Sequence, residues 1–532
     1  MARPSRWLEE GRLDIALIVV LAILTLATRL PIAAERKIMP AGDAFNFQHI
    51  ATQIQYGEYP AREKRLPAFP VFILIGRTLG FDPIKTSITI SLLASTGTIC
   101  TLYALGRVFQ FNRAALVGGL GLAMFDPLLV VNGIRPLSDA LFVFLVSLTY
   151  FMTALFLRYP AKATSRLQHA YSLTLVLLMF TRYEGFLIAT LTAPFLFISL
   201  PWKQVLRMAI LPTIAVLLWI PAYRAIHGSV GGLSYVTDAT APGGGFGELA
   251  LLPDNFGRLM NGAGWKRVWT YPQEVFEKEV SAKTISTLLT SEGWWVGVLS
   301  ILGLVFMLIR GRFAGFSILL AALGYALLLA WWWVYSRYVA PLSIIFYFGV
   351  AGGLAMLTEV AASVTRRFTL TRLTPLTALI PLLAVPILLS QVPKLHNSTL
   401  SQAWESNRHG YATYRALIFA AHQDGLVLYP TKEHANATLY FGELTQPKSQ
   451  RNPHRGIYLS DWPQDTPSQL FSQLENLQPT YIIETDFDKR LPELVAKISQ
   501  AGLIARTHEF AYTRWNTLDR EITNVYELSW PQ

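Results

Sequence analysis

Residues 13–33 read LDIALIVVLAILTLATRLPIA, an almost uninterrupted apolar run near the start of a chain of 532 residues. As a helix, such a run is long enough to cross the roughly 30 Å of hydrocarbon in a bilayer. It is too long for a removed signal peptide, and it has no stretch of small residues typical of a cleavage site. We therefore expect a retained membrane helix.

Similar apolar runs recur along the chain and predict about eleven membrane spans in all. After the first, they lie at residues 84–106, 114–133, 137–157, 168–181, 185–200, 206–223, 294–309, 313–333, 338–357 and 374–392. Residues 66–79 are predicted as a re-entrant or interfacial helix. With 52% hydrophobic and only 15% charged residues, the chain is more apolar than a soluble fold needs. The sequence predicts a mainly α, polytopic membrane helix bundle.

Basic residues indicate the orientation of this bundle. They concentrate in connections that alternate along the chain, at Arg3, Arg6, Arg12, Arg107, Arg113, Arg158, Lys162, Arg166, Lys203, Arg207, Arg310, Arg312, Arg366, Arg367 and Arg372. Because cytoplasmic loops retain Lys and Arg, we expect a multi-pass protein of the plasma (inner) membrane with a cytoplasmic N-terminus. The net charge of +11 is spread over these groups and forms no single stripe, so nucleic acid is not an expected partner.

Two domains follow from the change in composition along the chain. Residues 1–393 form a transmembrane module with outer loops at about 34–66 and 224–292. Residues 394–532 alternate β-like runs such as GLVLYP and TYIIET with helical patterns, which predicts an extracytoplasmic α/β domain. Within it, TDFD brings Asp486 and Asp488 close together, and a turn is favoured there over a metal site.

The first outer loop holds an acid close to the membrane. Asp43 opens the segment GDAFNFQHIATQIQYGEYP, in which Phe45, Ile50, Ile54 and Tyr56 would lie along the membrane surface in a short amphipathic helix. The carboxylate of Asp43 can accept a proton from a substrate hydroxyl. It can also cap the helix, and the local sequence alone favours the cap.

Three arginines run against the positive-inside trend, because each lies in a short outer turn: Arg135, Arg182 and Arg337. Together with Lys64 and Arg65 of the first loop, their side chains would make a pocket for a phosphate group. The alternative is local ion pairing, of Arg182 with Glu184 and of Arg135 with Asp139.

Asp126 is a further acid, and it lies inside a predicted span. An ionisable residue at this depth is a functional candidate that faces the bundle interior. An equally good interpretation is polar support for a kink before Pro127. The lone Cys100 excludes intramolecular disulfides and a Cys-based metal site.

The order of four motifs resembles a known superfamily. These are YGEYPAREKRLPAFPVF after the early Asp, then IRPLSDALFVFLVSL, then TRYEGFL, and late in the chain YSRYVAPL. Over about residues 10–360 the chain resembles the GT-C superfamily of polyprenyl-phosphate-dependent glycosyltransferases. The likeness is greatest toward the protein O-mannosyltransferase and lipid A aminoarabinose transferase branch.

The resemblance implies a site and a reaction. One sugar would pass from a polyprenyl-phosphate donor to an acceptor protein, lipid or glycan on the outer face, with Asp43 as general base. REKRLP is similar to the FEKP element of the aminoarabinose branch, which implies roles for Glu63 as a second acid and Lys64 at the phosphate. Arg337 matches the late arginine of the family. Ala44 departs from members that carry a second acid directly after the Asp.

The scheme requires no cofactor, and no ligand cluster in the sequence supports a divalent ion. No WWDYG element is present, which disfavours transfer of a whole oligosaccharide to asparagine. Two other functions are open: a lipid-phosphate transporter or flippase without sugar transfer, and a receptor or scaffold whose activity lies in the tail.

Overall fold

The computed structural model describes residues 4–35, 42–55, 57, 65–227, 294–331, 336–367, 456–484, 488–513 and 520–531, with shorter stretches between 413 and 430. The chain divides into two compact units. One comprises residues 1–35 and 53–403, and the other residues 36–52 and 404–532. The predicted span at 374–392 and the predicted domain boundary at 393 lie outside the described residues and stay predictions.

The first unit is helical. Its helices are α1 (Pro4–Glu35), α3 (Ala68–Thr78), α4 (Pro83–Val108), α5 (Arg113–Phe125), α6 (Pro127–Ile134), α7 (Asp139–Arg158), α8 (Ser165–Thr181), α9 (Glu184–Thr192), α10 (Trp202–His227), α11 (Trp294–Gly311), α12 (Phe313–Trp331) and α13 (Ala340–Arg367). Helix α2 (Gly42–Gln55) begins in the second unit, and its last residues belong to the first. Asp43 therefore lies in the same compact unit as the C-terminal residues.

Each predicted span that falls on described residues is helical, and the multi-pass membrane architecture is confirmed. Among the described residues, five helices are long and apolar enough to cross a membrane, or six if the bent pair α5 and α6 counts as one span. The apolar helices of α3, α9, α11 and α12 are shorter. Residues 66–79, predicted as a re-entrant or interfacial segment, contain α3.

Small residues let α13 approach two neighbouring helices closely. A Cβ added at Gly303 of α11 would lie 1.7 Å from the carbonyl oxygen of Gly349 and 2.3 Å from the amide nitrogen of Gly353. A Cβ added at Gly119 of α5 would lie 2.6 Å from Cα of Ala351. Membrane helices associate mainly by van der Waals packing, so close backbone contact of this kind stabilises the bundle.

An ion-pair cluster joins α1 to the connection between α4 and α5. Asp14 accepts hydrogen bonds from Tyr103 Oη at 2.8 Å and from Arg113 Nε at 2.7 Å. Arg107 Nε lies 3.2 Å from the same carboxylate. The sequence assigns both arginines to a cytoplasmic connection, and here they also neutralise an acid at the end of a membrane helix.

The second unit contains a five-stranded sheet with strand order β2-β1-β3-β5-β4. Its strands are β1 (Val427–Tyr429), β2 (Gly456–Tyr458), β3 (Tyr481–Glu484), β4 (Ile504–Thr513) and β5 (Arg520–Leu528). Strands β1, β2 and β3 are parallel, whereas β5 pairs antiparallel with β3 and β4. Helices α14 (Pro467–Leu477) and α15 (Leu491–Gln500) contribute Leu470 and Leu494 to a core with Ile482. The α/β character predicted for the tail is confirmed.

Candidate functional site

Residues from three predicted outer turns meet at Arg182. Asp139 is the first residue of α7, directly after the RPLS turn, and Glu184 is the first residue of α9. Arg182 directly follows the last residue of α8 and lies in an extended conformation in the connection to α9. Tyr338 belongs to a 3₁₀ turn at Ser336–Val339, directly before α13. We call these four residues the Arg182 cluster.

The guanidinium of Arg182 is held by two carboxylates. Its Nη2 donates to Glu184 Oε1 at 2.7 Å and its Nε to Glu184 Oε2 at 3.3 Å, a bidentate arrangement. Its Nη1 donates to Asp139 Oδ1. The side chains of Arg182, Asp139 and Glu184 are only 13%, 4% and 9% exposed. Buried charges are tolerated when each has an oppositely charged, hydrogen-bonded partner, and both carboxylates have one here in Arg182.

Aromatic rings cover the remaining faces of the guanidinium. The Cζ atom of Arg182 lies 4.2 Å from the ring centroid of Tyr338 and 5.5 Å from that of Phe142. Tyr325 of α12 donates a hydrogen bond from Oη to the carbonyl oxygen of Tyr338 at 2.8 Å. The backbone at Tyr338, next to Arg337, is therefore fixed by Tyr325, and its ring by Arg182.

The cluster has more negative than positive charge. One guanidinium faces two carboxylates, and it meets both with directed N–H donors. Of the two roles that the sequence offers Arg182, the structure shows the ion pair with Glu184. Arg182 also joins two helices that are distant in sequence. Its partner Asp139 lies 43 positions earlier in the chain, at the start of α7, whereas Arg182 follows α8.

Asp126 supports a break between two helices. Helices α5 and α6 meet at an angle of 65°, and Asp126 caps α6 by accepting a hydrogen bond from Leu129 N at 2.8 Å. Pro127 occupies the first turn of α6. Tyr347 of α13 donates from Oη to the other carboxylate oxygen at 2.7 Å, and Asp126 is 1% exposed. This is the kink-support role proposed for Asp126 from the sequence.

The predicted phosphate-binding residues are described to different extents. Arg65, just before α3, and Arg135, at the end of α6, are partly buried and interact with other groups. Arg337 lies in the 3₁₀ turn with Tyr338, and only its backbone is described. Glu63 and Lys64 lie outside the described residues. The phosphate role of all these residues stays a prediction.

Asp43 lies in the first turn of α2, so the predicted short helix in the first loop is present. Only the backbone of Asp43 is described, and its role as base or cap stays a prediction. Ile50, which the sequence places along the membrane surface, is fully buried in the protein. Its burial shows that this face of α2 packs against protein, because a lipid-facing side chain stays exposed in the folded chain.

The motif TDFD in the tail forms a turn at its described end. Asp488 accepts hydrogen bonds from the backbone N of Arg490 at 3.0 Å and from its Nη2 at 2.6 Å. These bonds lower the pKa of the Asp488 carboxyl. Arg490 also donates to the carbonyl oxygens of Trp462 and Asp465, at 2.5 Å and 3.1 Å. Asp488 thus has the predicted turn role, and Asp486 lies outside the described residues.

Several polar residues of the interior were not singled out from the sequence. Arg29 is fully buried in α1, and Tyr325 and Tyr347 bind the backbone of Tyr338 and the carboxylate of Asp126. An arginine inside a predicted span is itself a signal for a functional or structural site. In the part of the chain that the structure describes, no group of three or more His, Cys, Asp or Glu could hold a metal ion.

Comparison with solved structures shows the fold. The chain is similar to the oligosaccharyltransferase of Archaeoglobus fulgidus, solved with a tethered acceptor peptide, with a TM-score of 0.56, 13% identity, and 98% and 74% of the two chains covered. It is also similar to apo ArnT from Cupriavidus metallidurans, with a TM-score of 0.50, 11% identity and 98% of each chain covered. The same ArnT bound to undecaprenyl phosphate aligns with a TM-score of 0.44, 13% identity and 98% of each chain covered.

Comparisons based on sequence give no relatives. No protein-family model matches the chain, and no curated protein matches it. The first two of these structures, both of glycosyltransferases of the GT-C superfamily, align over nearly the whole of this chain. The protein therefore has the GT-C fold that the order of its motifs predicts.

Proposed function

We propose that the protein is an integral-membrane glycosyltransferase, which moves a sugar from a polyprenyl-phosphate donor to an acceptor on the extracytoplasmic side. The observation that carries the proposal is the meeting of three motif turns at Arg182, on a chain with the GT-C fold. The order of these motifs resembles the superfamily. Their turns meet in space through the ion pairs of Arg182 with Asp139 and Glu184 and through its contact with the Tyr338 ring, which sequence order alone does not predict.

In the proposed reaction, the acceptor hydroxyl oxygen attacks the anomeric carbon of the sugar. A new bond forms between that oxygen and the carbon, and the bond between the carbon and the phosphate oxygen breaks. Asp43 takes the proton of the hydroxyl. The departing lipid phosphate gains negative charge, which Lys64, Arg65 and Arg337 neutralise in a partly dry site, where such contacts are strong. No metal ion or cofactor is part of this scheme.

The Arg182 cluster has a positioning role in this scheme. Arg337 comes directly before Tyr338, whose ring lies on Arg182 and whose carbonyl oxygen binds Tyr325. The ion pairs with Asp139 and Glu184 fix the guanidinium in turn. Restricting the backbone beside Arg337 reduces the conformational freedom that phosphate binding has to remove.

The test is sugar transfer by the purified full-length protein, with radiolabelled polyprenyl-phosphate sugars as donors and extracted membrane lipids and proteins as acceptors. Wild type is compared with Asp43→Asn and with Asp82→Asn. Asp82 is a matched control, because it caps α4 by binding Lys85 N at 2.8 Å and asparagine caps equally well. We expect transfer by wild type and Asp82→Asn, and none by Asp43→Asn.

Binding of the donor lipid is measured in the same preparations. Loss of transfer in Asp43→Asn with donor binding retained supports the role of Asp43 as base. No transfer by any of the three proteins, with donor lipid still bound, contradicts the proposal and favours a lipid-phosphate transporter. If the C-terminal tail by itself carries the activity of the protein, a receptor or scaffold is favoured.

A further inference from the structure

Arg29 places a guanidinium in the interior of the first unit. It lies in the membrane span Gly11–Ala33 and is 0% exposed. Its Nη1 donates to the carbonyl oxygens of Thr25 and Met124, each at 3.3 Å, and lies 3.3 Å from Thr28 Oγ1. Among the described residues, its Nε and Nη2 have no hydrogen-bond partner. These two nitrogens form the side edge of the guanidinium, whose parallel N–H groups bind anions in a bidentate manner.

A small cavity adjoins Arg29. Its polar lining comes from Arg29, Ser95, Thr98 and Asn132, and the rest is aliphatic, with Ile99 and Leu129 among the lining residues. Asn132 is 3% exposed, and neither its Nδ2 nor its Oδ1 has a hydrogen-bond partner within the described part of the chain. Polar groups buried without partners are costly, and more so in a membrane interior.

Gly133 packs closely against Ser95 and Arg29. A Cβ added at this glycine would lie 2.9 Å from Arg29 Nε and 2.6 Å from Ser95 Oγ, too close for either contact. Ser95 and the guanidinium edge are thus close neighbours, and a larger residue at position 133 would displace them. The cavity is small and has room for about one water molecule or one ion of similar size.

The nearby carboxylate does not fill this edge. Asp126 acts on Arg29 through its charge, but one of its oxygens accepts from Leu129 N and the other from Tyr347 Oη. The hydroxyl of Thr98 donates to the carbonyl oxygen of Ala94 at 2.9 Å. The donors left for an occupant are the Nε and Nη2 of Arg29, the Nδ2 of Asn132 and the hydroxyl of Ser95.

We propose that this cavity binds one small anion of the size of chloride, held by the side edge of Arg29 with Asn132 and Ser95 as further donors. The site is too small for a phosphate headgroup, and its donors come from the three helices α1, α4 and α6 that line one cavity. It is independent of the proposed transferase reaction, because none of its residues belongs to that scheme. Such an anion would tie together α1, α4 and α6.

The test is thermal unfolding of the full-length protein in detergent, with chloride replaced stepwise by gluconate at constant ionic strength. An anion that binds only the folded state stabilises it by mass action, so the wild-type Tm should rise by about 2 °C and saturate with chloride. Gly133→Ala, whose Cβ displaces the donors Ser95 and Arg29, should lose this rise. Gly121→Ala should keep it, because a Cβ there has no described atom within 4 Å.

A second variant keeps the test decisive if Gly133→Ala does not fold. Asn132→Asp keeps the shape of the side chain but replaces a donor with a negative charge, and should also abolish the chloride response. Crystals grown in bromide should show an anomalous peak beside Arg29. A wild-type Tm that does not change with chloride, an equal rise in Gly133→Ala, or a water without anomalous signal at this place would overturn the proposal.

Discussion

The ring of Tyr338 covers the guanidinium of Arg182, with 4.2 Å between the ring centroid and Cζ. The two residues are far apart in sequence, yet they join the turn after α8 to the turn before α13. Because Arg337 precedes Tyr338 directly, the contact links a buried ion-pair cluster to the residue that the motif resemblance places at the donor phosphate.

Removing the ring should impair transfer more than removing its hydroxyl. In Tyr338→Ala the guanidinium loses a contact worth about 2 kcal/mol at a desolvated site, and we expect kcat/KM to fall about 30-fold. Tyr338→Phe keeps the ring and the backbone bond to Tyr325, and should stay close to wild type. Steady-state transfer assays of the two variants check this, and full activity of Tyr338→Ala would contradict the positioning role.

Arg182→Met should destabilise the bundle. The substitution leaves the carboxylates of Asp139 and Glu184 buried without their counter-charge, and we expect a loss of about 3 kcal/mol or more in the free energy of unfolding. Thermal unfolding in detergent measures it. The matched control combines Arg182→Met with Asp139→Asn and Glu184→Gln. Recovery of much of the lost stability in this triple variant is expected, since neutral partners remove the unpaired charge.

Gly303→Ala should be far more costly than Gly121→Ala. The added methyl group at position 303 meets backbone atoms of Gly349 and Gly353, which cannot move independently of α13. We expect a loss of about 2 kcal/mol from overpacking. At Gly121 the added Cβ has no described atom within 4 Å, so that variant should unfold at or above the wild-type temperature. Equal Tm values for the two variants would count against close packing of α11 on α13.

The Asp488–Arg490 pair should make the sheet unit sensitive to acid. Arg490 lowers the pKa of Asp488 in the folded state, so the pair stabilises at neutral pH. That stabilisation is lost as the pH falls below the ordinary Asp pKa of about 4 and through the lowered pKa of Asp488. Hydrogen exchange of peptides from residues 488–513, corrected for intrinsic rates, should be faster in Asp488→Asn than in wild type at pH 7. The difference should shrink at about pH 3, and a difference that is constant with pH would contradict the prediction.

The sequence predicts the helices well, because a bilayer requires long apolar runs and these are visible along the chain. Ion pairs between residues that are distant in sequence are harder to predict. Glu184 lies two positions from Arg182 and its pairing is predicted, whereas the bond from Arg182 to Asp139 depends on how α7 and α8 pack. From the sequence, Asp139 is expected to pair with Arg135, which lies nearer along the chain. Arg29 has no place in the loop pattern of basic residues, because it lies within a span, and its role depends on its burial in the folded chain.

The strands of the tail follow the same logic. Short runs such as GLVLYP and TYIIET form β1 and β3, since apolar residues bounded by turn residues favour buried strands. Their order in the sheet, with β5 between β3 and β4, is a matter of tertiary pairing and has no local signal. The opening residues of α2 likewise give no local sign that they belong to the compact unit of this sheet.

The place of Asp43 in the C-terminal compact unit affects how domains can be exchanged between chains of this architecture. Residues 36–52, which carry Asp43, belong to one compact unit with residues 404–532, although most of the helical unit separates them in sequence. The tail is therefore not an interchangeable module appended to a self-contained helical unit. A chimera that takes its tail from another protein would separate residues 36–52, with Asp43, from the rest of their compact unit. Swaps should preserve function only when the first loop and the tail are exchanged together.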